Sequence, residues 1–258
     1  MSIDIQKTDR GVGIITINRP EKLNAMDAEH YRGLSDAWAQ MRDDTAVRAI
    51  VITGAGEKSF STGADLKTFI GNPPQLSEFW LTQQGMLLNR GLEMWKPVIA
   101  AVNGYCLGGG MTLLLATDIR LAVPHATFGL SEVKRGVIAA NGGTQRVIEQ
   151  LPRAIAMEFL LTGDAFDAAT AERWGLINRQ VEPAQLMSEA LKIAGRIAAN
   201  APLAVQAAKE LALRAGSMDL NVGLRMEQLY NRMLSATEDA AEGRQAFKEK
   251  RPARFNAR

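Results

Sequence analysis

The sequence has little that could form covalent or metal cross-links. Its 258 residues include one cysteine, Cys106, and two histidines, His30 and His125. A single cysteine excludes an intrachain disulfide and is typical of a reducing compartment, so we expect a cytoplasmic protein. These three residues lie far apart, without the spacing of a zinc site, so no metal is expected.

Long hydrophobic runs and a strong net charge are also missing. The most apolar segments are too short to span a bilayer, and the first ten residues resemble neither a signal peptide nor a transit peptide. The 30 Lys and Arg residues nearly balance 28 Asp and Glu residues. This balance argues against binding nucleic acid through a global field. We therefore expect neither a membrane nor a nucleic-acid partner.

What is present is an alternation of strands and helices. Short runs rich in β-branched and apolar residues predict strands over 12–18, 48–53, 97–103, 118–123 and 177–181. Asp27 is placed to cap a helix whose Tyr31, Leu34, Trp38 and Met41 share one face. Strands that alternate with helices favour a parallel α/β arrangement.

The last quarter of the chain has a different pattern. Apolar residues recur at helical spacing in three consecutive segments after residue 186, and Ser235 with Glu238 predicts the start of a fourth helix. The tail from residue 242 to 258 carries six cations and two acids. We expect a β/α core followed by a helical appendix.

Two glycine-bearing loops are candidates for binding an oxyanion. Residues 60–67, FSTGADLK, place Gly63 before a possible helix start, and residues 104–112, GYCLGGGMT, place three glycines after a buried strand. Backbone amides at such positions can hold a negatively charged oxygen. A helix cap in the first loop and close helix–strand packing in the second would explain the same glycines.

A third segment, residues 128–143, offers a candidate acid–base group. Glu132 lies there among small and apolar residues, where burial raises a carboxyl pKa. A surface glutamate would give the same pattern. Residues 54–59, GAGEKS, match only the first part of G-x-G-x-x-G, so a dinucleotide site is a weak interpretation.

Taken together, the chain resembles the crotonase family, also called the enoyl-CoA hydratase/isomerase family. The joint spacing of its motifs is far more specific than any one glycine run. The motifs are NRPEKLNA (18–25), ITGAGEKSFSTGADLK (52–67), KPVIAAVNGYCLGGG (96–110), FGLSEVKRGVIAANGGTQR (128–146), LTGDAFDAATAERWGLIN (161–178) and EGRQAFKEKRPARF (242–255).

The resemblance implies a fold, partners and an assembly. It implies an α/β crotonase-like spiral of β-β-α repeats with a C-terminal helical trimerisation region. Residues 1–195 would form the spiral core with the acyl-CoA site, and residues 196–258 the oligomerisation region. The implied substrate is an acyl-CoA thioester, with no permanently bound cofactor. The implied assembly is a homotrimer or a dimer of trimers, in which the basic tail reaches a neighbouring subunit's coenzyme A.

The resemblance also implies functional positions. The amides of Ala64 and Gly109 match the oxyanion hole, and Glu132 matches one of two catalytic glutamates. The implied substrate-binding residues are Lys22, Leu23, Ala25, Asp65, Leu66, Lys67, Tyr105, Leu107, Thr112, Ser131 and Tyr230. Thr112 departs from the family, since it stands where typical hydratases have their second glutamate. Threonine can orient water but does not exchange a proton near neutral pH.

Several reactions remain compatible with these residues. Hydration of a 2-enoyl-CoA to a 3-hydroxyacyl-CoA ranks first, followed by double-bond isomerisation, for which one carboxylate suffices. An aromatic hydratase-lyase is third, with Tyr230 as a hydroxyl partner. A coenzyme A thioester-binding subunit with little turnover is an alternative of another class. Aromatic and apolar residues in segment 68–95 suggest a sizeable apolar acyl group; they are Phe69, Phe79, Trp80 and Met86.

Overall fold

The computed structural model describes residues 3–69 and 87–258. Phe79, Trp80, Met86 and the side chain of Phe69, which the sequence places near an acyl group, lie outside what it describes. The expectation about the size of the acyl group therefore stays a prediction.

The described strands form two sheets. They are β1 (Ile3–Lys7), β2 (Val12–Ile17), β3 (Ala49–Gly54), β4 (Ser59–Ser61), β5 (Val98–Val102), β6 (Tyr105–Leu107), β7 (Ile119–Ala122), β8 (Thr127–Gly129), β9 (Phe166–Asp167) and β10 (Arg179–Gln180). One sheet has the order β1-β2-β3-β5-β7-β10 and the other the order β4-β6-β8-β9. The pairs β1–β2 and β8–β9 are antiparallel, and all other pairs in these two sheets are parallel.

The described helices follow the same chain order. They are α1 (Ala28–Asp43), α2 (Leu66–Phe69), α3 (Gly109–Leu114), α4 (Gly143–Gln150), α5 (Arg153–Thr162), α6 (Ala168–Arg173), α7 (Leu186–Ala198), α8 (Pro202–Arg214), α9 (Leu220–Ser235) and α10 (Glu238–Glu249). Short 3-10 helices lie at Pro20–Lys22, Leu88–Arg90, Glu132–Arg135, Pro183–Gln185 and Ala215–Ser217. In the described parts of the chain, no helix combines the length and the apolar character that crossing a bilayer requires.

Three successive strand pairs build a spiral. In β3–β4, β5–β6 and β7–β8 the first strand joins the six-stranded sheet and the second joins the four-stranded sheet. Each turn therefore crosses from one sheet to the other before the next turn stacks on it in parallel. This arrangement confirms the predicted spiral fold.

The core explains why the central strands are continuous apolar runs. Every residue of β3 and of β5 is buried, since both faces of the large sheet are covered. Asp27 caps α1 as predicted, its carboxylate accepting a hydrogen bond from the amide of His30 at 3.1 Å. Leu34, Trp38 and Met41 of α1 are buried in the core. The last predicted strand, 177–181, is shorter than expected, because only Arg179–Gln180 pairs with β7.

The C-terminal helices differ from the prediction at one start. The side chain of Thr237, not of Ser235, caps α10 by accepting a hydrogen bond from the amide of Ala240 at 3.1 Å. The Ser235 hydroxyl instead donates back to the carbonyl of Asn231 at 2.6 Å. The predicted Ser235–Glu238 capping box was therefore wrong. The predicted boundary at 195/196 falls inside α7 and stays a prediction.

The basic tail folds back on its own chain. Arg251 forms ion pairs with Glu242 at 2.6 Å and with Glu249 at 2.5 Å. The carboxylate of Asp239 accepts the amides of Asn256 at 2.7 Å and Ala257 at 2.9 Å. These contacts hold the end of the chain along α10, so part of the local positive charge is neutralised within the subunit.

Candidate active site

A tight loop after β2 fixes the first side of the site. Asn24 is fully buried at a positive φ of 54°. Its side chain accepts the amide of Arg19 at 2.9 Å and donates to the carbonyls of Ala55 at 3.0 Å and Ser59 at 2.6 Å. Asparagine tolerates the left-handed region better than most residues, and its amide can satisfy several backbone groups at once. The loop is therefore locked against the turn between β3 and β4.

The same loop then holds the chain after β4. Met26 forms an isolated parallel bridge with Ala64, through the bonds from Met26 N to Gly63 O at 2.7 Å and from Asp65 N to Met26 O at 2.9 Å. The guanidinium of Arg19 donates to the Asp65 carboxylate at 3.0 Å. These contacts fix the peptide units on both sides of Ala64.

Two glycines bring the two predicted loops together. A Cβ added to Gly63 would lie 2.4 Å from the amide nitrogen of Gly109, and one added to Gly109 would lie 3.5 Å from the amide nitrogen of Ala64. Gly63 also has a φ of +85°, a conformation that side chains rarely adopt. The two loops therefore approach as closely as they do because neither residue has a side chain.

The amides of Ala64 and Gly109 are free to act as donors. The bridge uses both polar backbone groups of Met26, so the N–H of Ala64 points away from it. Gly109 is the first residue of α3, where backbone amides have no partner within the helix. Within residues 3–69 and 87–258, neither amide has an acceptor. Two fixed donors side by side form an oxyanion-hole arrangement.

The three consecutive glycines have separate reasons. Gly108 caps α3 with φ 52° and ψ −120°. A Cβ on Gly110 would lie 2.2 Å from the carbonyl oxygen of Ser61, so this glycine permits close packing of α3 on β4. Cys106 lies just before them in β6 and is fully buried. Close packing of α3 on β4 therefore explains Gly110, whereas the oxyanion-binding role of Gly109 stays a prediction.

Glu132 opens the 3-10 helix after β8 and faces Gly108. A Cβ on Gly108 would lie 3.6 Å from Glu132 Oε1. The other carboxyl oxygen, Oε2, is buried and has no hydrogen-bond partner among the described residues. Burial raises the pKa of the Glu132 carboxyl, and the nearby guanidinium of Arg135 offsets part of the shift. An unsatisfied buried carboxyl oxygen beside a donor pair is typical of a reacting group.

A cleft of about 500 Å³ joins these features. It brings together most of the residues that the sequence singled out: Lys22, Ala25, Ala64, Asp65, Leu66, Lys67, Leu107, Gly109, Ser131 and Glu132. Thr62, Gly108, Arg135 and Val137 also line it, without having been expected to. Lys22, Lys67 and Arg135 give the cleft an excess of positive charge, since Asp65 is paired with Arg19.

Four expected substrate-binding residues do not line this cleft among the described residues: Leu23, Tyr105, Thr112 and Tyr230. Leu23 and Tyr105 are 37% and 44% exposed. Thr112 is buried, accepting a hydrogen bond from the side-chain amide of Asn89 at 2.9 Å. Tyr230 lies in a separate cavity between α8 and α9, beside Glu210. Their roles stay predictions.

The sequence interpretation missed residues that act through geometry. Arg19 and Asn24 lie in the recognised NRPEKLNA motif, and a signal was available there in the asparagine beside a proline turn. Tyr31 was assigned to the apolar face of α1, but its hydroxyl lies 2.8 Å from where a Cβ on Gly109 would be. No sequence pattern distinguishes such a tyrosine from a packed one.

The turn between β3 and β4 contains the partial glycine motif. Residues 54–59 lead from one strand into another, and no helix begins there. A dinucleotide fingerprint needs a helix start to hold the pyrophosphate, so this motif is not a nucleotide site. The described residues also contain no group of three or more His, Cys, Asp or Glu side chains that could hold a metal ion.

Comparison with known proteins identifies the family of this chain. A family model described as enoyl-CoA hydratase/isomerase matches residues 7–258. The chain belongs to the enoyl-CoA hydratase/isomerase family. It is 43% identical to an (E)-benzylidenesuccinyl-CoA hydratase from Thauera aromatica over 95% of both chains. It is 38% identical to a crotonyl-CoA hydratase from Syntrophomonas wolfei over 98% of this chain and 97% of that one.

Solved structures in the enoyl-CoA hydratase/isomerase family superpose on the whole chain. An enoyl-CoA hydratase from Bacillus anthracis has a TM-score of 0.93 at 34% identity and covers 100% of both chains. One from Mycobacterium tuberculosis has a TM-score of 0.89 at 37% identity, over 100% of this chain and 99% of that chain. The predicted family and fold are confirmed, and the chain is an enzyme of this family.

Proposed function

We propose that this enzyme adds water to a 2-enoyl-CoA thioester to give a 3-hydroxyacyl-CoA. The observation that supports this most directly is the pair of free amides at Ala64 and Gly109 beside the carboxyl of Glu132. The similar proteins named as crotonyl-CoA and (E)-benzylidenesuccinyl-CoA hydratases support the same reaction.

The two amides address the charge that the reaction creates. When water attacks C3, the C2–C3 π electrons move toward the thioester carbonyl, and negative charge grows on its oxygen. Donors held at Ala64 and Gly109 stabilise that oxygen without reorganising. Loss of one such donor typically costs about 2.7–4 kcal/mol of transition-state stabilisation.

Glu132 moves the proton. Its carboxylate takes a proton from the attacking water as the O–C3 bond forms, and then returns a proton to C2. Burial raises the pKa of Glu132, which is the direction that suits a carboxyl that must both accept and return a proton. The cations Lys22, Lys67 and Arg135 suit the phosphates of coenzyme A, which enters as part of the substrate with no further cofactor.

Double-bond isomerisation is the second candidate, and Thr112 favours it. Thr112 is an uncharged, buried residue that is hydrogen-bonded to Asn89. Two carboxylates line the described cleft, Asp65 and Glu132, and Asp65 is paired with Arg19. Glu132 is therefore the carboxylate that remains for proton transfer. One carboxylate is enough to carry a proton between two carbons. The binding-subunit alternative gains no support, since Glu132 retains an unpartnered buried oxygen in the cleft.

Residues 196–258 are proposed as the self-association region. Large apolar side chains of α8 and α9 are exposed in the single chain: Leu203, Leu213, Leu220, Val222, Leu224, Leu229 and Met233. Such a surface suits a homotrimer or a dimer of trimers. Sedimentation of the purified protein measures the assembly directly, and a monomer would contradict the proposal.

A thioester panel read by mass spectrometry tests the reaction. Hydration adds the mass of one water, whereas isomerisation in ordinary water leaves the mass unchanged and moves the double bond. We expect Glu132→Gln to lower kcat about 10²- to 10⁴-fold. Glu158→Gln, at an exposed site on α5, is the matched control. Turnover of the panel by Glu132→Gln at the wild-type rate would refute the proposed role.

A further inference from the structure

A polar wall lies next to the oxyanion amides on the side of α1 and α3. Thr112 Oγ1 accepts a hydrogen bond from Asn89 Nδ2 at 2.9 Å and donates to the carbonyl of Gly109 at 3.1 Å. The threonine and the asparagine thereby satisfy one another as neutral groups. The position at which typical hydratases have an anionic carboxylate is uncharged in this chain.

Tyr31 continues this wall up to the amide pair. Its hydroxyl lies 2.8 Å from the point that a Cβ on Gly109 would occupy, and the same point lies 3.5 Å from the amide nitrogen of Ala64. Burial raises the pKa of the Tyr31 hydroxyl above its usual range. A thioester oxygen held by the two amides would place the acyl group beside this hydroxyl.

Arg90 completes the wall with a positive charge. Its guanidinium carbon lies 5.9 Å from the centre of the Tyr31 ring, and its Nε donates to Asn141 Oδ1 at 2.9 Å. Asn141 is itself held at a φ of 55°, with its carbonyl accepting from Arg146 at 3.1 Å. The guanidinium is thus oriented by its Nε and by the ring beneath it.

The terminal nitrogens of Arg90 are left for another partner. Among the described residues, no carboxylate pairs with Arg90 and neither Nη nitrogen donates a hydrogen bond. This differs from Arg19, Arg214 and Arg251, each of which pairs with carboxylates. A guanidinium with its two Nη groups available is suited to bidentate binding of a carboxylate.

Among the residues that the structure describes, this wall therefore has one cation, Arg90, and no carboxylate. We propose that Arg90 binds a carboxylate carried by the acyl group, so that the substrate class is a mono-CoA thioester of an unsaturated dicarboxylic acid. This inference rests on the proposed function, because it requires the thioester oxygen to lie at the amides of Ala64 and Gly109.

The test compares acidic and neutral thioesters. The acidic probes are the mono-CoA thioesters of fumaric and glutaconic acid and a 2-enoyl-CoA with a carboxymethyl branch at C2. Each is paired with the analogue in which a methyl group replaces the carboxylate. We expect wild type to prefer at least one acidic probe in kcat/KM. Arg90→Gln should lower that value about 100-fold and change the neutral analogue less than about 3-fold.

Further variants separate charge from folding. Arg90→Lys keeps the charge but loses the planar pair of donors, so its loss on the acidic probe should be intermediate. Arg32→Gln, at an exposed arginine next to Tyr31 on α1, is the matched control and should change neither probe.

Each outcome decides a different claim. If wild type hydrates the neutral thioesters but shows no preference for any acidic one, the carboxylate site is refuted and the proposed function stands. Equal losses on acidic and neutral probes in Arg90→Gln also refute it, since they indicate a structural role. Absence of turnover on every probe overturns the proposed function, and the carboxylate site with it.

Discussion

Replacing Gly63 by alanine tests whether the close approach of the two loops requires a residue without a Cβ at this position. The new Cβ would lie 2.4 Å from the amide nitrogen of Gly109, whereas real Cβ atoms essentially never approach closer than 3.0 Å. The loops must therefore separate by more than half an ångström. A misplacement on the order of 1 Å can cost about 10²-fold in rate.

We expect two separable effects of Gly63→Ala. The positive φ of +85° should destabilise the fold by about 1–2 kcal/mol. Separation of the amides should lower kcat by about 10²- to 10³-fold, as for loss of one oxyanion donor. KM should change less, since the cations that line the cleft are not displaced. Urea unfolding and steady-state kinetics on the best thioester measure the two effects.

Gly175→Ala is the matched control. Gly175 has a φ of +78°, close to that of Gly63, but an added Cβ would have no atom within 4 Å. It should lose similar stability and keep the wild-type kcat. If Gly63→Ala folds and keeps kcat within about 10-fold of wild type, the amides of Ala64 and Gly109 do not stabilise the transition state as argued.

Three further predictions address the supporting residues. Glu132→Gln should raise the Tm at pH 7 but not at pH 4. Because burial raises the pKa of Glu132 in the folded state, ionisation of this carboxyl destabilises the fold as the pH rises. An equal gain in Tm at both pH values would contradict this. Asn24→Ala should lose about 2–4 kcal/mol in urea unfolding, because it leaves one buried and two part-buried backbone groups without their side-chain partner. The exposed Asn200→Ala should lose less than about 0.5 kcal/mol, and similar losses in both variants would refute the role of the loop. Thr112→Val should lose about 1–3 kcal/mol of stability, because it leaves the side-chain amide of Asn89 unpaired. Its kcat in steady-state kinetics should stay within about 10-fold of wild type. A much larger loss of kcat would show that Thr112 contacts the reacting atoms.

The long apolar segments were predictable from sequence, and the short ones were not. The strand β5 is a continuous apolar run, and β2, β3 and β7 are mostly apolar or β-branched, so their positions followed from composition alone. The second sheet was missed because β4, β6 and β8 have three residues each, too few to show a period of two. Their pairing depends on the crossings between turns of the spiral, which no local pattern reports.

The site divides in the same way. Glu132, Gly63 and Gly109 could be identified, because glycines and a carboxylate in recognisable motifs mark backbone approach and proton transfer. Tyr31 and Arg90 could not, because each lies in an ordinary helical or loop pattern and gains its position from contacts with distant segments. The Ser235 prediction failed because Thr237, two residues later, offers an equivalent hydroxyl nearer the true helix start.

The buried thiol of Cys106 provides a built-in reporter for this part of the molecule. Cys106 lies in β6, between the large sheet and the turn that presents Gly109, and burial raises the pKa of its thiol. In the native state it should resist alkylating reagents, since the thiolate is the reactive form and the sulfur is shielded from solvent. Because the chain has no other cysteine, the rate of its modification measures how often β6 opens, without any engineered label.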